Sequence, residues 1–265
     1  MSNPIDVWAA GNAYEPYVGR WSRLVALEFV EWLAREGGAR WFDIGCGTGA
    51  LTATILARAT PARVCGVDAS GAYVAFARRH ISDPRAVFAV ADAQRLPIPT
   101  ASADVVVSGL MINFVPAPKL ALAEMTRTVR MGGTVGVYVW DYAGEMQLMR
   151  QFWDAAVELD PQAATLDEGR RFPICNRLAL EELFGGAGLQ MVESRAIDVP
   201  TRFRDFAEYW TPFLGGQGPA PGYAMSLSEN RRAQLRDCLR DRLATAPDGS
   251  IELVARAWAV RGSRE

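Results

Sequence analysis

The chain has 265 residues, half of them apolar, with 28 Lys and Arg set against 30 Asp and Glu and a net charge of −2 at pH 7. That length buries one full core with a few appended elements, and so even a charge balance offers no basic field for a phosphate backbone, which argues against nucleic acid as a partner. Four scattered cysteines without a C-x-x-C pair, beside one histidine, exclude a zinc cage and a disulfide framework.

The opening Met1-Ser2-Asn3-Pro4 reaches Asp6 with no basic stretch followed by an apolar one, so no signal peptide is expected. Ser108 and Asn113 interrupt the most apolar window, so no membrane insertion is expected either, and the expected compartment is the cytoplasm. Over residues 21–36, Trp21, Leu24, Val25, Leu27, Phe29, Trp32 and Leu33 recur at spacings of three and four, one apolar helix face that Gly37 and Gly38 end. Short apolar runs at 41–44, 64–67, 87–90, 104–108 and 134–139 then alternate with helical patterns at 50–59, 71–81 and 117–130. Strands apolar on both faces and separated by helices predict an α/β fold with a doubly wound, mostly parallel sheet. Later the rhythm loosens: helices at 145–159, 178–187, 203–212 and 228–245, a strand at 189–199, a loop at 215–222 and a closing strand at 251–260. The arginines from Arg231 to Arg242 are interleaved with Glu229, Asp237 and Asp241, as on a solvated helix face.

The strongest chemical signal is the run Trp41 to Gly49, a strand whose end alternates glycines and opens directly into a helix. Glycine permits the sharp turn and a close ligand approach, and the helix N-terminus offers free N–H donors. The glycines stand as G-x-G-x-G, neither the G-x-G-x-x-G of dinucleotide sites nor a P-loop. Asp68 ends the next strand, where an acidic side chain grips a ribose diol or, alternatively, caps the following helix. At the third strand end Asp92 is placed to accept from an adenine amino group, with the backbone N–H of Ala93 serving a ring nitrogen. Ligands in such sheets bind beyond the carboxyl ends, so the three features share one crevice.

Asp43-Ile44-Gly45-Cys46-Gly47-Thr48-Gly49, Gly66-Val67-Asp68, Ala91-Asp92-Ala93 and Arg130-Met131-Gly132-Gly133-Thr134 resemble the motifs of class I S-adenosylmethionine-dependent methyltransferases, in the branch related to the ubiquinone and menaquinone biosynthesis enzymes. The resemblance covers about residues 40–140 and fades beyond Asp141. It implies a seven-stranded Rossmann-like sheet in the order 3-2-1-4-5-7-6, with the seventh strand antiparallel and helical cap insertions. It implies S-adenosylmethionine as cofactor, with Gly45 and Gly47 beside its methionine part, Asp68 on the ribose hydroxyls and Asp92 with Ala93 at the adenine. Asp43, Cys46, Ala69 and Leu110 are candidate cofactor residues beside them. The resulting layout is one methyltransferase domain over 1–265: an N-terminal helical lid at 1–38, a cofactor-binding core at 39–142, and substrate-side helices and closing strands at 143–265. In the lid, Tyr17 and Arg20 either close over the cofactor, with Arg20 facing a carboxylate, or anchor a terminal helix.

Methyl transfer is an in-line displacement that depends above all on positioning. A hydroxyl nucleophile would also need a base, but His80 stands at a helix end remote from the strand-end crevice. The catalytic candidates are instead Asp141, as substrate-orienting group, base or helix cap, and Asn113, as a hydrogen-bonding group or a turn terminator. The aromatic group Phe203, Phe206, Tyr209, Trp210, Phe213 and Tyr223 either covers an apolar pocket or forms ordinary core. The expected function is transfer of a methyl group to a small-molecule acceptor, by a monomer or homodimer. A non-catalytic S-adenosylmethionine-binding regulator and a nicotinamide-dependent oxidoreductase are the competing readings.

Overall fold

The computed structural model describes residues 19–33, 37–216 and 218–265. The chain divides into two compact units. The first comprises Ser22–Trp140, Ile174–Ile197 and Ala257–Glu265; the second comprises the described residues up to Trp21, Asp141–Pro173 and Asp198–Arg256.

The strands form a seven-stranded sheet in the order β3-β2-β1-β4-β5-β7-β6, the order the motif resemblance implied; the first unit holds β1 to β5 with residues 190–197 of β6 and 257–263 of β7. They are β1 (Arg40–Ile44), β2 (Arg63–Asp68), β3 (Ala86–Val90), β4 (Ala103–Gly109), β5 (Val129–Trp140), β6 (Gln190–Phe203) and β7 (Ile251–Ser263). The first five pair in parallel, and β7 runs antiparallel to β5 from Thr134↔Ser263 to Trp140↔Ala257. Consecutive valines explain the parallel centre: Val105, Val106 and Val107 of β4 are fully buried, so both faces of the strand are covered. β5 begins at Val129, five residues before the apolar run at 134–139, because Val129 pairs with Ala103 across an irregularity in the β4–β5 register.

Around this sheet lie α1 (Arg20–Leu33), α2 (Ala50–Arg58), α3 (Gly71–His80), α4 (Pro118–Thr128) and α7 (Arg177–Gly186). Phe29 and Leu33 of α1 lie against Gly136, where an added Cβ would meet Phe29 Cζ at 3.0 Å and Leu33 Cδ2 at 3.1 Å. Glycine there lets the helix settle on the strand. α3 starts at Ser70, whose hydroxyl accepts from the Tyr73 N–H, and ends at His80, whose Nδ1 lies 2.9 Å from the Phe76 carbonyl and whose ring stacks on Phe76 at 3.9 Å.

The second unit carries α5 (Gln147–Leu159), α6 (Glu168–Arg171), α8 (Phe206–Trp210), α9 (Pro219–Ser226) and α10 (Glu229–Arg242). Part of the expected loop at 215–222 is helical: α9 begins on Pro219, whose missing N–H is unneeded in a first turn, and buries Ala220, Tyr223 and Ala224. The aromatic group packs as core. Phe152 stacks on Phe213 with centroids 4.5 Å apart, Trp153 meets Tyr223 at 5.7 Å, and Phe203 meets Tyr209 at 5.3 Å.

Two acidic side chains are buried beside these rings. Asp167 takes a two-point contact from Arg150 at 3.1 and 2.9 Å. Glu168 accepts a hydrogen bond from the Trp153 indole N–H, and burial pushes its carboxyl up to about 7. Its folded value therefore lies above the unfolded value of 4.5, so the neutral acid is the favoured buried form and stability is lost as pH rises from about 4.5 to 7. Glu168→Gln keeps an acceptor for the indole but cannot ionise. Thermal unfolding should place it near wild type at about pH 5 and ahead of it at about pH 8, by on the order of 3 kcal/mol; equal stability of the two at the higher pH would contradict a neutral buried acid.

Candidate cofactor-binding site

The site is assembled at the carboxyl ends of β1, β2, β3 and β4, all within the first unit. After Ile44 the chain turns through Gly45, Gly47 and Gly49 at φ of 75°, 53° and 90°, left-handed values that a Cβ disfavours. The turn is pinned to β2: the N–H groups of Gly45 and Cys46 donate to the Val67 carbonyl at 2.7 and 2.9 Å, and the Gly47 N–H donates to Asp68 Oδ2 at 2.9 Å. An added Cβ at Gly47 meets nothing within 4 Å, so the backbone is open there, whereas at Gly45 it would strike Met111 Cγ at 2.3 Å. The Cys46 side chain turns away into a core cluster with Val74, Ala77 and Phe88, where burial holds its thiol protonated. Cys46 therefore brings chiefly its backbone to the turn, its thiol reaching only the Gly47 carbonyl at 4.0 Å.

Asp68 is committed on both oxygens, Oδ2 to Gly47 and Oδ1 to the Ser70 N–H at 2.8 Å, and burial outweighs these bonds to raise its carboxyl. Each carboxylate oxygen retains a further lone pair. Ala69 follows it, exposed. Asp43, one strand away, is fully buried. Burial pushes its carboxyl up to about 7, opposed by the hydroxyl of Thr52, which donates to Oδ2 at 2.7 Å, and reinforced by Asp68. Its other oxygen, Oδ1, has no partner.

At the third strand end the Ala91 N–H donates to the Asp68 carbonyl at 3.0 Å, which places Asp92 and Ala93 next in line. Asp92 Oδ1 accepts from the Gln94 backbone N–H at 2.9 Å and from its side chain at 3.1 Å, bonds that lower its carboxyl and fix the turn. Beyond β4, Leu110 takes a positive φ of 57° with its N–H on the Tyr138 carbonyl at 2.8 Å. A 3-10 turn follows at Ile112–Phe114, where Asn113 is buried with neither side-chain atom hydrogen-bonded. The Ser108 hydroxyl is likewise buried and unpartnered.

Asp43, Gly45, Cys46, Gly47, Asp68, Ala69, Asp92, Ala93, Leu110 and Asn113 all belong to this unit. Asp141 and Arg20 belong to the other unit and are engaged within it. Asp141 Oδ2 accepts from the Glu145 N–H at 3.0 Å, closing its own turn. Arg20 pairs with Glu208 at 3.0 Å and lies over Trp21 and Phe203, while the Arg204 backbone N–H and then Arg20 hold the Glu208 carboxyl down at about 2. Tyr17 lies outside the described residues. Sequence reasoning passed over Thr52 and Met111. A hydroxyl residue three positions beyond Gly49, in the first turn of the helix, was a usable signal for the first; Met111 acts only by packing onto Gly45 and left none.

Residues 42–137 match the methyltransferase domain family. The strand order and the glycine turn with its acidic strand ends agree with that match, and over those residues the chain is similar to class I S-adenosylmethionine-dependent methyltransferases. It is similar to the malonyl-[acyl-carrier protein] O-methyltransferase of Hahella chejuensis, with 36% identity over 102 residues, 38% of this chain and 37% of that protein. It is also similar to the 2-methyl-6-phytyl-1,4-hydroquinone methyltransferase of Synechocystis sp., with 32% identity over 179 residues, 59% of this chain and 56% of that one. The chain thus spans between about a third and a little over half of these curated relatives. In fold it resembles a phosphoethanolamine N-methyltransferase of Haemonchus contortus solved with S-adenosylhomocysteine, at a TM-score of 0.61 and 18% identity, covering 96% of this chain and 57% of that one. Among the described residues no helix is long and apolar enough to cross a membrane.

Proposed function

We propose that this protein transfers the methyl group of S-adenosylmethionine to a small-molecule acceptor. The observation that carries the reading is the pairing of an open glycine turn at Gly47 with Asp68, whose carboxylate locks that turn and keeps lone pairs for a diol. The feature that argues against the nicotinamide reading is the glycine spacing: Gly45, Gly47 and Gly49 alternate as G-x-G-x-G, not as the G-x-G-x-x-G of dinucleotide sites.

When bound, S-adenosylmethionine supplies an electrophilic methyl carbon on a sulfonium. In our assignment the residues of this chain hold the reactants collinear. Gly45 and Gly47 admit the methionine part, Asp68 takes the ribose hydroxyls, Asp92 and Ala93 take the adenine edge, and Asp43, Ala69 and Leu110 complete the lining. Of the two catalytic candidates we carry Asn113 forward as the acceptor-side group, because its buried amide keeps both a donor and an acceptor free. An unsatisfied buried amide of this kind costs about 1 to 3 kcal/mol per group, which a bound partner would recover. Asp141 closes its own turn through Oδ2 on the Glu145 N–H and belongs to the other unit. The related enzymes named for 2-methyl-6-phytyl-1,4-hydroquinone and for O-methylation of malonyl-[acyl-carrier protein] favour an oxygen- or ring-bearing acceptor.

The direct test is incubation with methyl-labelled S-adenosylmethionine and small-molecule fractions of cell extract. Label should appear in a low-molecular-weight product. Tight cofactor binding with no labelled product across broad extracts would favour the non-catalytic regulator instead.

A further inference from the structure

The segment that follows β3 is fastened to α4 at both of its ends. At the far end the Leu96 N–H donates to Glu124 Oε2 at 2.7 Å, and Arg127, itself bonded to Glu124, donates to the Leu96 and Ile98 carbonyls at 3.1 and 2.8 Å. At the near end Gln94 makes the join. Its Oε1 accepts from the Ala117 N–H at 3.1 Å, and its Nε2 donates to Asp92 Oδ1 at 3.1 Å. A carboxylate only accepts and a backbone N–H only donates, so this amide has one orientation. Ala117 opens α4: its carbonyl accepts from the N–H groups of Leu120 and Ala121 at 3.0 and 3.2 Å, while its methyl side chain offers no cap. The loop between β4 and α4 meets the glycine turn earlier, where Met111 lies against Gly45. In sequence Asn113 stands between these two anchors, at Met111 and Ala117.

We infer that Gln94 is a positioning residue that joins the Asp92 carboxylate to the loop carrying Asn113, so that a ligand on Asp92 also orders the acceptor side. The inference rests on the S-adenosylmethionine reading above. Gln94 acts on Asp92 through two bonds to Oδ1, from its backbone N–H at 2.9 Å and from its side chain. Oδ2 keeps only a long contact with the same amide at 3.4 Å and is left for a ligand N–H. A ligand that fixes the Asp92 carboxylate fixes the Gln94 amide with it, and that amide holds the first residue of α4. The linkage runs both ways: a loop already in place presents Asp92 in its binding rotamer.

Adenosine is the probe, because it carries the adenine edge and the ribose without an amino-acid tail or a methyl group to transfer. At saturation it should slow amide hydrogen exchange of the wild type at Ala117 and across residues 112–117 by about fivefold, the worth of one hydrogen bond. Gln94→Leu should bind adenosine about tenfold more weakly. Its Ala117 amide should exchange faster in the free protein, and the ligand-linked slowing should vanish even at saturation. Gln94→Glu keeps an acceptor for Ala117 but sets a second carboxylate against Asp92. Its free loop should exchange as in wild type while adenosine binds about tenfold more weakly, an arm that stands even where the leucine variant does not fold. A strut with a structural role alone would quicken exchange in Gln94→Leu and leave adenosine affinity and the ligand-linked slowing unchanged. That result, wild-type affinity in Gln94→Glu, or adenosine binding to the wild type without any slowing at 112–117, overturns the inference and leaves the cofactor reading in place. Failure of the wild type to bind either adenosine or S-adenosylmethionine overturns both.

Discussion

Asp68→Ala is expected to weaken S-adenosylmethionine binding by roughly 1.5 to 3 kcal/mol, the worth of charge-assisted hydrogen bonds, or about ten- to a hundredfold in affinity. The effect has two sources. The carboxylate is our ribose ligand, and it also ties the Gly47 N–H to the end of β2 at 2.9 Å, so its loss frees the turn that receives the amino-acid tail. Asp68→Asn separates the two: one amide oxygen still accepts from Gly47 or from Ser70, so the turn is partly held while the charged diol grip is gone. Equilibrium titration should therefore rank wild type, Asp68→Asn and Asp68→Ala in descending affinity. Unchanged affinity in the alanine variant would show the ribose assignment to be mistaken.

Gly45→Ala should be the more damaging of two outwardly similar substitutions. At Gly45 a Cβ would lie 2.3 Å from Met111 Cγ and 2.6 Å from Met111 Cβ, and the residue has a φ of 75°. Met111 cannot swing clear, because its own Cβ moves only with the backbone. Strain of roughly 1 to 3 kcal/mol is thus joined by an overpacking cost of similar size. At Gly47 the φ is 53° but nothing lies within 4 Å, so Gly47→Ala should cost only the conformational part, about 1 to 2 kcal/mol. Denaturant unfolding of the two ligand-free variants reads this difference. Equal losses would mean that Met111 does not lie on the turn as described.

How much of this was legible in the sequence depends on where the information resides. The valine-rich strands, the glycine alternation and the acid at the end of β2 are local patterns, and the structure places their elements within a few residues of where periodicity put them. The sheet order came from motif resemblance, since no local pattern encodes which strand pairs with which. The helix Pro219–Ser226 was misread as loop because Pro-Ala-Pro-Gly carries turn composition, while its helicity comes from burying Ala220, Tyr223 and Ala224. Asp141 and Arg20 show the same limit from the other side. Their residue types suit chemistry, yet a backbone N–H four residues on and the carboxylate of Glu208, 188 residues away in sequence, engage them. The state of Asp43 was hidden for a third reason: its raised carboxyl reflects burial, opposed by Thr52 and reinforced by Asp68, none of which spacing reveals.

The central claim is that the turn at Gly45–Gly49 receives the amino-acid tail of S-adenosylmethionine. Side-by-side equilibrium titration of the ligand-free protein with S-adenosylmethionine and with NAD tests it most directly. Saturable one-site binding of the sulfonium ligand, with no binding of the dinucleotide at comparable concentration, is the predicted result; the reverse pattern would contradict the account.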